Sequence, residues 1–104
     1  MHPICKVNAL SNGESLSFTL NDTPCFITKH NDQFFAYQNA CPHLGVTMEW
    51  QPNSFLDSDK ELIQCSMHGA LFLIDSGECV YGPCQGKALT PIKISQQGDT
   101  VFAE

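Results

Sequence analysis

Two short motifs, each with one cysteine and one histidine, constrain this chain more than any other feature of its sequence. The first reads CPHLG and the second reads CSMHG, so both place the cysteine before the histidine and end on glycine. Cysteine and histidine are strong ligands for soft and borderline metal ions. We therefore predict a four-ligand metal site. Its predicted ligands are Cys41, His43, Cys65 and His68.

The length, charge and cysteine content exclude several classes of protein. With 104 residues the chain has the size of one domain, and we predict a single domain over residues 1–104. Its formal net charge is −6, with five lysines and no arginine, which argues against a nucleic-acid partner. We see no membrane-spanning run and no signal peptide, so we expect no membrane partner and a cytoplasmic location. In a reducing cytosol, cysteines paired with histidines indicate metal binding rather than disulfides.

Alternating apolar and polar residues predict β-strands along most of the chain. In residues 14–20, Leu16, Phe18 and Leu20 fall on one face, as in a half-buried strand. Further strands are predicted at 25–29, 34–38, 61–64, 70–74, 78–81, 90–95 and 100–103. No segment has a sustained helical period, so we predict an all-β fold in which each Cys/His motif joins two strands.

Turn-forming dipeptides separate these predicted strands. Asn12-Gly13, Asn31-Asp32 and Ser76-Gly77 are expected to reverse the chain direction, and the last two strands are joined around Gly98. Residues 46–60 are expected to be irregular and to end in a polar turn.

A zinc site is the first alternative for the two motifs. Structural zinc sites with two cysteines and two histidines usually draw the cysteines from a hairpin and the histidines from a helix. Here each motif mixes the two residue types, and no helix is predicted to present a histidine pair. The mixed order suits a site with two metal centres, one bound by both cysteines and the other by both histidines. A structural zinc or interaction module stays the less favoured alternative.

The two motifs resemble the C-x-H and C-x-x-H-G halves of the Rieske [2Fe–2S] signature. Residues 76–89, which include Pro83, resemble the proline-containing loop that covers the cluster in that family. The resemblance runs over about residues 36–95. It implies a Rieske-type fold of short antiparallel strands in stacked small sheets. In that fold, a cluster-binding part at about 39–87 would stand on base strands at about 1–38 and 88–104.

The resemblance also implies the cofactor and the role of each ligand. One [2Fe–2S] cluster is expected per chain, with Cys41 and Cys65 on the inner iron and His43 and His68 on the outer iron. Imidazole ligands raise the reduction potential relative to a cluster with four cysteines.

Four residues that depart from the high-potential members of the family predict a low potential. Val46 and Met67 occupy positions where those members carry a disulfide, and Ala70 and Phe72 occupy positions where they carry a serine and a tyrosine. Hydroxyl groups that donate to sulfur stabilise the reduced cluster. Their absence predicts a potential on the order of −150 mV, at the low end of the Rieske range.

These features imply a low-potential Rieske-type ferredoxin, an electron-transfer protein that is not itself an enzyme. Its expected partners are a flavoprotein reductase, which supplies the electron, and a terminal oxygenase or reductase, which receives it. The alternative is a fixed small subunit of a larger reductase, as in nitrite reductases.

Several other residues have both a functional and a structural interpretation. The segment between the motifs is longer than is usual in the family, and Trp50 in it either anchors a partner or packs locally together with Phe55. Cys79 and Cys84 could form a redox pair, but we expect two small buried apolar residues. The residues expected in the core are Cys5, Cys25, Phe18, Phe26, Phe34, Phe35, Phe72 and Phe102, and those expected at the surface are His2 and His30.

Overall fold

The computed structural model of the protein describes residues 2–40, 55–57, 59–65, 70–82 and 86–104. Within these ranges lie nine strands and one 3-10 turn, Val7–Ala9. The strands are β1 (His2–Lys6), β2 (Ser15–Leu20), β3 (Thr23–His30), β4 (Gln33–Gln38), β5 (Leu62–Gln64), β6 (Leu71–Leu73), β7 (Cys79–Tyr81), β8 (Ile94–Gln97) and β9 (Thr100–Ala103). The predicted all-β class is confirmed. No helix in the described ranges is both long and apolar enough to cross a membrane.

The strands form three antiparallel sheets of three strands each. We call them the hairpin sheet (β2-β3-β4), the short sheet (β5-β6-β7) and the end sheet (β1-β9-β8). The short sheet comes from the middle of the chain, the hairpin sheet comes from its first forty residues, and the end sheet combines β1 with the two last strands.

Two turns of identical sequence shape the hairpin sheet. Asn21-Asp22 joins β2 to β3 with φ values of 50° and 65°, and Asn31-Asp32 joins β3 to β4 with φ values of 51° and 64°. Positive φ at both central positions belongs to the turn type whose twist matches that of paired strands, and Asn and Asp tolerate it well. The turn predicted at Asn31-Asp32 is confirmed. The same dipeptide at 21–22 lets β3 begin at Thr23, two residues before the predicted start.

The end sheet brings together the two ends of the described chain. β9 lies between β8 and β1, with His2 opposite Ala103 and Lys6 opposite Thr100. The sequence pattern predicts no strand at residues 2–6, and this pairing partner lies more than ninety residues away. The strand predicted at 90–95 is wrong over its first four residues, because β8 begins at Ile94.

Residues 86–92, which we call the strap, link the short sheet to the hairpin sheet. Near its start, backbone hydrogen bonds of 2.9 Å connect Lys87 and Leu89 to β7 and to the turn before it. Near its end, hydrogen bonds of 2.9 Å connect Thr90 and Ile92 to β4. The proline between those two residues has no N–H to donate, so this stretch cannot continue as a regular ladder.

The short sheet is extended by a segment for which no strand is predicted from sequence. Residues 55–57 run antiparallel beside β5, held by two backbone hydrogen bonds of 2.9 Å and by a bridge between Leu56 and Ile63. The polar turn expected at the end of this segment is confirmed, since the Lys60 amide donates to the Asp57 carbonyl at 3.1 Å.

Two apolar cores lie on opposite faces of the hairpin sheet. Neighbouring residues of a strand point to opposite faces, so Phe26 and Ile27 in β3 belong to different cores, as do Tyr37 and Ala36 in β4. The base core, shared with the end sheet, contains Leu10, Ile27, Ala36 and Val101. The site core, shared with the short sheet, contains Phe26, Tyr37, Phe55, Leu56, Ile63, Cys65, Ala70, Phe72, Ile74, Cys79 and Leu89.

The phenylalanines expected in the core are not equally buried. Phe26 and Phe72 are fully buried. Phe102 is only half-buried, since Val101 and Ala103 beside it point inward and turn its ring toward a groove on the outer face of the end sheet. The three that lie half-buried against the cores are Phe18, Phe34 and Phe35.

Candidate metal centre

One of the four predicted ligands, Cys65, lies in the described part of the chain. Cys41, His43 and His68 lie outside it. Within the described ranges, no group of three or more His, Cys, Asp or Glu side chains is placed to hold a metal ion. The convergence of the four ligands therefore stays a prediction, and the structure tests it through the surroundings of Cys65.

Cys65, the first residue of the second motif, lies at the end of the short sheet where this motif connects β5 to β6. It follows β5 directly, and its amide donates to the Ala70 carbonyl at 2.9 Å. This bond continues the β5–β6 ladder by one step, so the second motif leaves and re-enters the sheet at adjacent positions. The loop of the second motif is thus anchored at both ends by regular backbone pairing.

The side chain of Cys65 is 0% exposed and belongs to the site core. A thiolate in such a position carries a charge that water cannot solvate, and a bound metal supplies the compensating charge. A buried position therefore fits the cysteine expected on the inner iron. Among the described residues, Cys65 fits a [2Fe–2S] cluster by both its donor atom and its burial.

Ala70 and Gly82 bring the second motif against the start of the predicted proline loop. Gly82 has φ +99°, and a Cβ atom on it would lie 2.9 Å from the Ala70 Cα atom. Only glycine allows the two backbones to approach this closely. The chain that enters the predicted proline loop thus lies directly on Ala70, the residue that follows the second motif, although Pro83 itself lies outside the described residues.

The two positions predicted to lack sulfur-directed hydroxyl groups are both deeply buried. Ala70 and Phe72 are 0% exposed. Water therefore cannot stand in for the missing hydroxyl groups at these side chains. Val46 and Met67, the other two residues behind the low-potential prediction, lie outside the described residues.

The strand that leads to the first motif is held on both sides up to its last residues. Gln38 at the end of β4 donates its amide to Thr90 of the strap at 2.9 Å, and the Asn39 amide donates to the Pro24 carbonyl at 2.8 Å. Asn39 is buried. Cys41 therefore follows a segment whose backbone is fixed against both the strap and β3.

Tyr37, for which no role is predicted from the sequence, lies in the site core four residues before Cys41. Its hydroxyl donates to the Ile74 carbonyl at 2.6 Å. Burial, and secondarily the negative charge of Asp75, raise the pKa of Tyr37 to about 12. The sequence feature that could have indicated this role is a tyrosine at the apolar end of a predicted strand that leads into a ligand motif.

The cysteines outside the two motifs are structural where they are described. The Cys79 thiol is buried and donates to the Tyr81 carbonyl at 3.2 Å, as expected for a small core residue, whereas Cys84 lies outside the described part. Cys25 is buried, and its burial raises the pKa of the thiol, opposed by a backbone hydrogen bond at Leu20. Cys5 is half-buried beside the base core, and burial raises the pKa of its thiol too.

The other residues with both a functional and a structural interpretation are two histidines and two aromatic residues. His2 is exposed and His30 is half-buried. Phe55 is fully buried and stacks on Phe26, with ring centroids 4.3 Å apart and an angle of 8° between the planes. This contact supports the packing interpretation of the long segment between the motifs for Phe55, whereas Trp50 lies outside the described residues.

The sequence matches the family described as Rieske [2Fe-2S] domain over residues 1–96. This chain belongs to the Rieske [2Fe–2S] domain family. A Rieske-type [2Fe–2S] cluster is therefore its cofactor, and when bound it accepts and returns one electron.

Two curated relatives are ferredoxin components. The chain is 31% identical over 75 residues to the ferredoxin component of the alkene monooxygenase system of Xanthobacter autotrophicus, an alignment that spans 72% of this chain and 58% of that protein. It is 29% identical over 93 residues to the biphenyl dioxygenase ferredoxin subunit of a Pseudomonas species, spanning 86% of this chain and 80% of that one.

The fold is also that of a solved ferredoxin. The ferredoxin of carbazole 1,9a-dioxygenase from Nocardioides aromaticivorans superimposes with a TM-score of 0.79 at 16% identity, over 99% of this chain and 97% of that one. The predicted Rieske-type architecture of small antiparallel sheets is confirmed.

Proposed function

We propose that this chain is a mobile one-electron carrier that takes an electron from a flavoprotein reductase and passes it to a terminal oxygenase or a similar enzyme. The observation that carries this proposal is the burial of Cys65 at the closed end of the short sheet, in a fold shared with a dioxygenase ferredoxin. Both curated relatives are named as ferredoxin components of oxygenase systems.

The proposed ligands are Cys41 and Cys65 for the inner iron and His43 and His68 for the outer iron. The site core supports this assignment, because it surrounds Cys65 with apolar side chains and excludes water from the thiolate. The fixed backbone before Cys41 and the paired ends around the second motif would hold the two motifs in place through a change in charge. Little reorganisation is then needed when an electron arrives or leaves.

The proposal includes a potential near −150 mV, at the low end of the Rieske range. The buried side chains of Ala70 and Phe72 support it, because neither has a hydrogen-bond donor for sulfur. Introducing a hydroxyl with Phe72→Tyr or Ala70→Ser should raise the midpoint potential, since donors to sulfur stabilise the reduced cluster. A potentiometric titration of each variant beside wild type measures this shift, and an unchanged or lower potential in both variants contradicts this part of the proposal.

We also propose that residues 1–104 act as one domain and that the protein works in the cytoplasm. The shared site core supports a single unit, because it contains residues of the hairpin sheet, the short sheet and the strap. The thiols of Cys5, Cys25 and Cys79, which are free cysteines, suit a reducing compartment.

A stoichiometric reductive titration tests the carrier role. Purified holoprotein should take up one electron per chain, return it to an added oxidant, and repeat the cycle without losing iron. Gel filtration of a lysate from the natural host, followed with an antibody, separates a mobile carrier from a fixed subunit. A carrier elutes at the size of the small protein, whereas elution entirely within a larger enzyme would support the fixed-subunit alternative.

A further inference from the structure

Tyr37 connects two sheets that lead to different ligand motifs. Its backbone belongs to β4 of the hairpin sheet, which leads to the first motif. Its hydroxyl donates at 2.6 Å to the carbonyl of Ile74, the residue that directly follows β6 of the short sheet. A buried hydrogen bond between two sheets resists their relative movement because both groups would lose their partner in an apolar environment.

The ring of Tyr37 also fits closely against the turn between β6 and β7. Gly77 in this turn has φ +75°, and a Cβ atom there would lie 2.8 Å from the Tyr37 Cε1 atom and 3.3 Å from the Leu89 Cβ atom. Tyr37 further pairs with Pro91 of the strap and packs against Phe26, with ring centroids 5.9 Å apart. The short sheet, the strap and the hairpin sheet therefore meet at a single residue, through both its backbone and its side chain.

Beside this junction the two sheets are separated by a cleft of about 280 Å³. His30, Gln33 and Phe35 line it from the hairpin sheet, and Glu61, Leu73 and Asp75 line it from the short-sheet side. Ile74 lines the cleft and also accepts the hydrogen bond from Tyr37, so the junction adjoins the cleft.

We propose that Tyr37 is a positioning residue for the [2Fe–2S] cluster. Held between the Ile74 carbonyl and Gly77, it sets the position of the strand that leads to Cys41 relative to the sheet that carries Cys65. Because one iron is expected to bind both cysteines, the geometry at that iron depends on how these two elements lie together. This inference rests on the proposed ligand set.

Tyr37→Phe with Tyr81→Phe as the matched control tests the inference directly. These are the two tyrosines of the chain, and both changes remove one hydroxyl group. Tyr81 is 63% exposed, whereas Tyr37 is buried. In Tyr37→Phe we expect the cluster to be lost to a chelator about tenfold faster than in wild type, as the loss of a buried hydrogen bond would produce. We also expect a broadened EPR spectrum of the reduced cluster, and neither change in Tyr81→Phe.

A second pair of variants approaches the same junction from the opposite side and keeps the Tyr37 hydroxyl. Gly77→Ala places a Cβ against the ring, whereas Gly98→Ala adds a methyl group at a similarly positive φ of +60° with nothing within 4 Å. Both variants carry the same type of backbone strain. Faster cluster loss and a broadened spectrum in Gly77→Ala alone support the inference, and this pair keeps it testable should Tyr37→Phe fail to fold.

The outcomes separate this inference from the proposed function. Wild-type protein with no cluster would overturn both together. Wild-type protein with one cluster per chain, together with unchanged spectra and loss rates in Tyr37→Phe and Gly77→Ala, would overturn the role of Tyr37 alone. A lower unfolding temperature in these variants with an unaltered cluster would likewise show Tyr37 to be purely structural.

Discussion

The hairpin sheet and the short sheet are specified in different ways. The hairpin sheet has strands of six, eight and six residues, joined by two turns of two residues each. The short sheet has three strands of three residues each, and a register shift interrupts the pairing of β6 with β7. Strands this short have little stability of their own. Local sequence therefore accounts for the hairpin sheet, whereas we expect the short sheet to depend on the site core, the strap and the cluster.

The largest expected effect comes from removing the ligand carried by the short sheet. Cys65→Ala should abolish cluster binding and lower the hydrogen-exchange protection of β5–β7, while β2–β4 stay protected, because the hairpin sheet does not need the metal. Iron content, visible absorption and amide exchange measure this. Cys79→Ala is the matched control, since it removes another buried sulfur from the same core and should keep the cluster. Full iron content in Cys65→Ala would show that Cys65 is not a ligand.

The second largest effect is expected from the stacking of Phe55 on Phe26, through which the hairpin sheet supports the short sheet. Phe55→Ala should lower the free energy of unfolding by about 3–5 kcal/mol, because it empties a fully buried site stacked on Phe26. Phe102→Ala, a half-buried phenylalanine outside both cores, should cost much less. Urea unfolding of the two variants measures the difference. Equal losses would mean that the site core does not carry the extra stability assigned to it.

A smaller, pH-dependent effect should arise at the junction between the two sheets. The pKa of Tyr37 is raised to about 12 in the folded protein, against about 10 for an unfolded tyrosine. The stability held by the neutral phenol is complete below about pH 10 and is lost as the pH rises toward about 12, because the unfolded chain loses the proton first. Urea midpoints between pH 9 and 11 should fall more steeply in wild type than in Tyr37→Phe. Parallel curves would contradict a raised pKa.

The smallest effect separates the two identical turns of the hairpin sheet. Asp22→Gly should stabilise the protein by up to about 1 kcal/mol, because glycine adopts positive φ without strain. Asp32→Gly should give less, because the Asp32 carboxylate accepts a hydrogen bond from the Asn12 side chain at 3.0 Å. Thermal unfolding compares the two variants. A larger gain in Asp32→Gly would show that this side-chain contact contributes nothing.

The sequence pattern predicts the strands and turns whose formation depends on residues close together in the sequence. The strand at 14–20 and the turn at Asn31-Asp32 follow from alternation and turn chemistry, and both agree with the structure. β1 could not be predicted in this way, because its residues show no clear alternation and its partner β9 is distant in sequence. The last residues of the strap, 90–92, were predicted to begin a strand that runs to residue 95, although two different sheets share the hydrogen bonds of the strap.

In the candidate site, too, the features carried by single residues can be predicted from the sequence, whereas contacts between distant residues cannot. The ligand types and their order in the two motifs are visible in the sequence, and so is the lack of hydroxyl groups at Ala70 and Phe72. The junction at Tyr37 is not visible, because its partner Ile74 is far along the chain and is contacted through its backbone carbonyl. Every residue has a backbone carbonyl, so the sequence does not indicate which one accepts a side-chain hydrogen bond.

An EPR-monitored redox titration of the purified protein decides whether this chain is a low-potential Rieske-type electron carrier. We expect one reducible [2Fe–2S] cluster per chain, with nitrogen couplings from two imidazole ligands in pulsed EPR and a midpoint potential on the order of −150 mV. A colourless protein that stays EPR-silent after reduction and contains stoichiometric zinc would contradict the carrier role and the proposed ligands. A clearly positive potential would contradict the low potential alone.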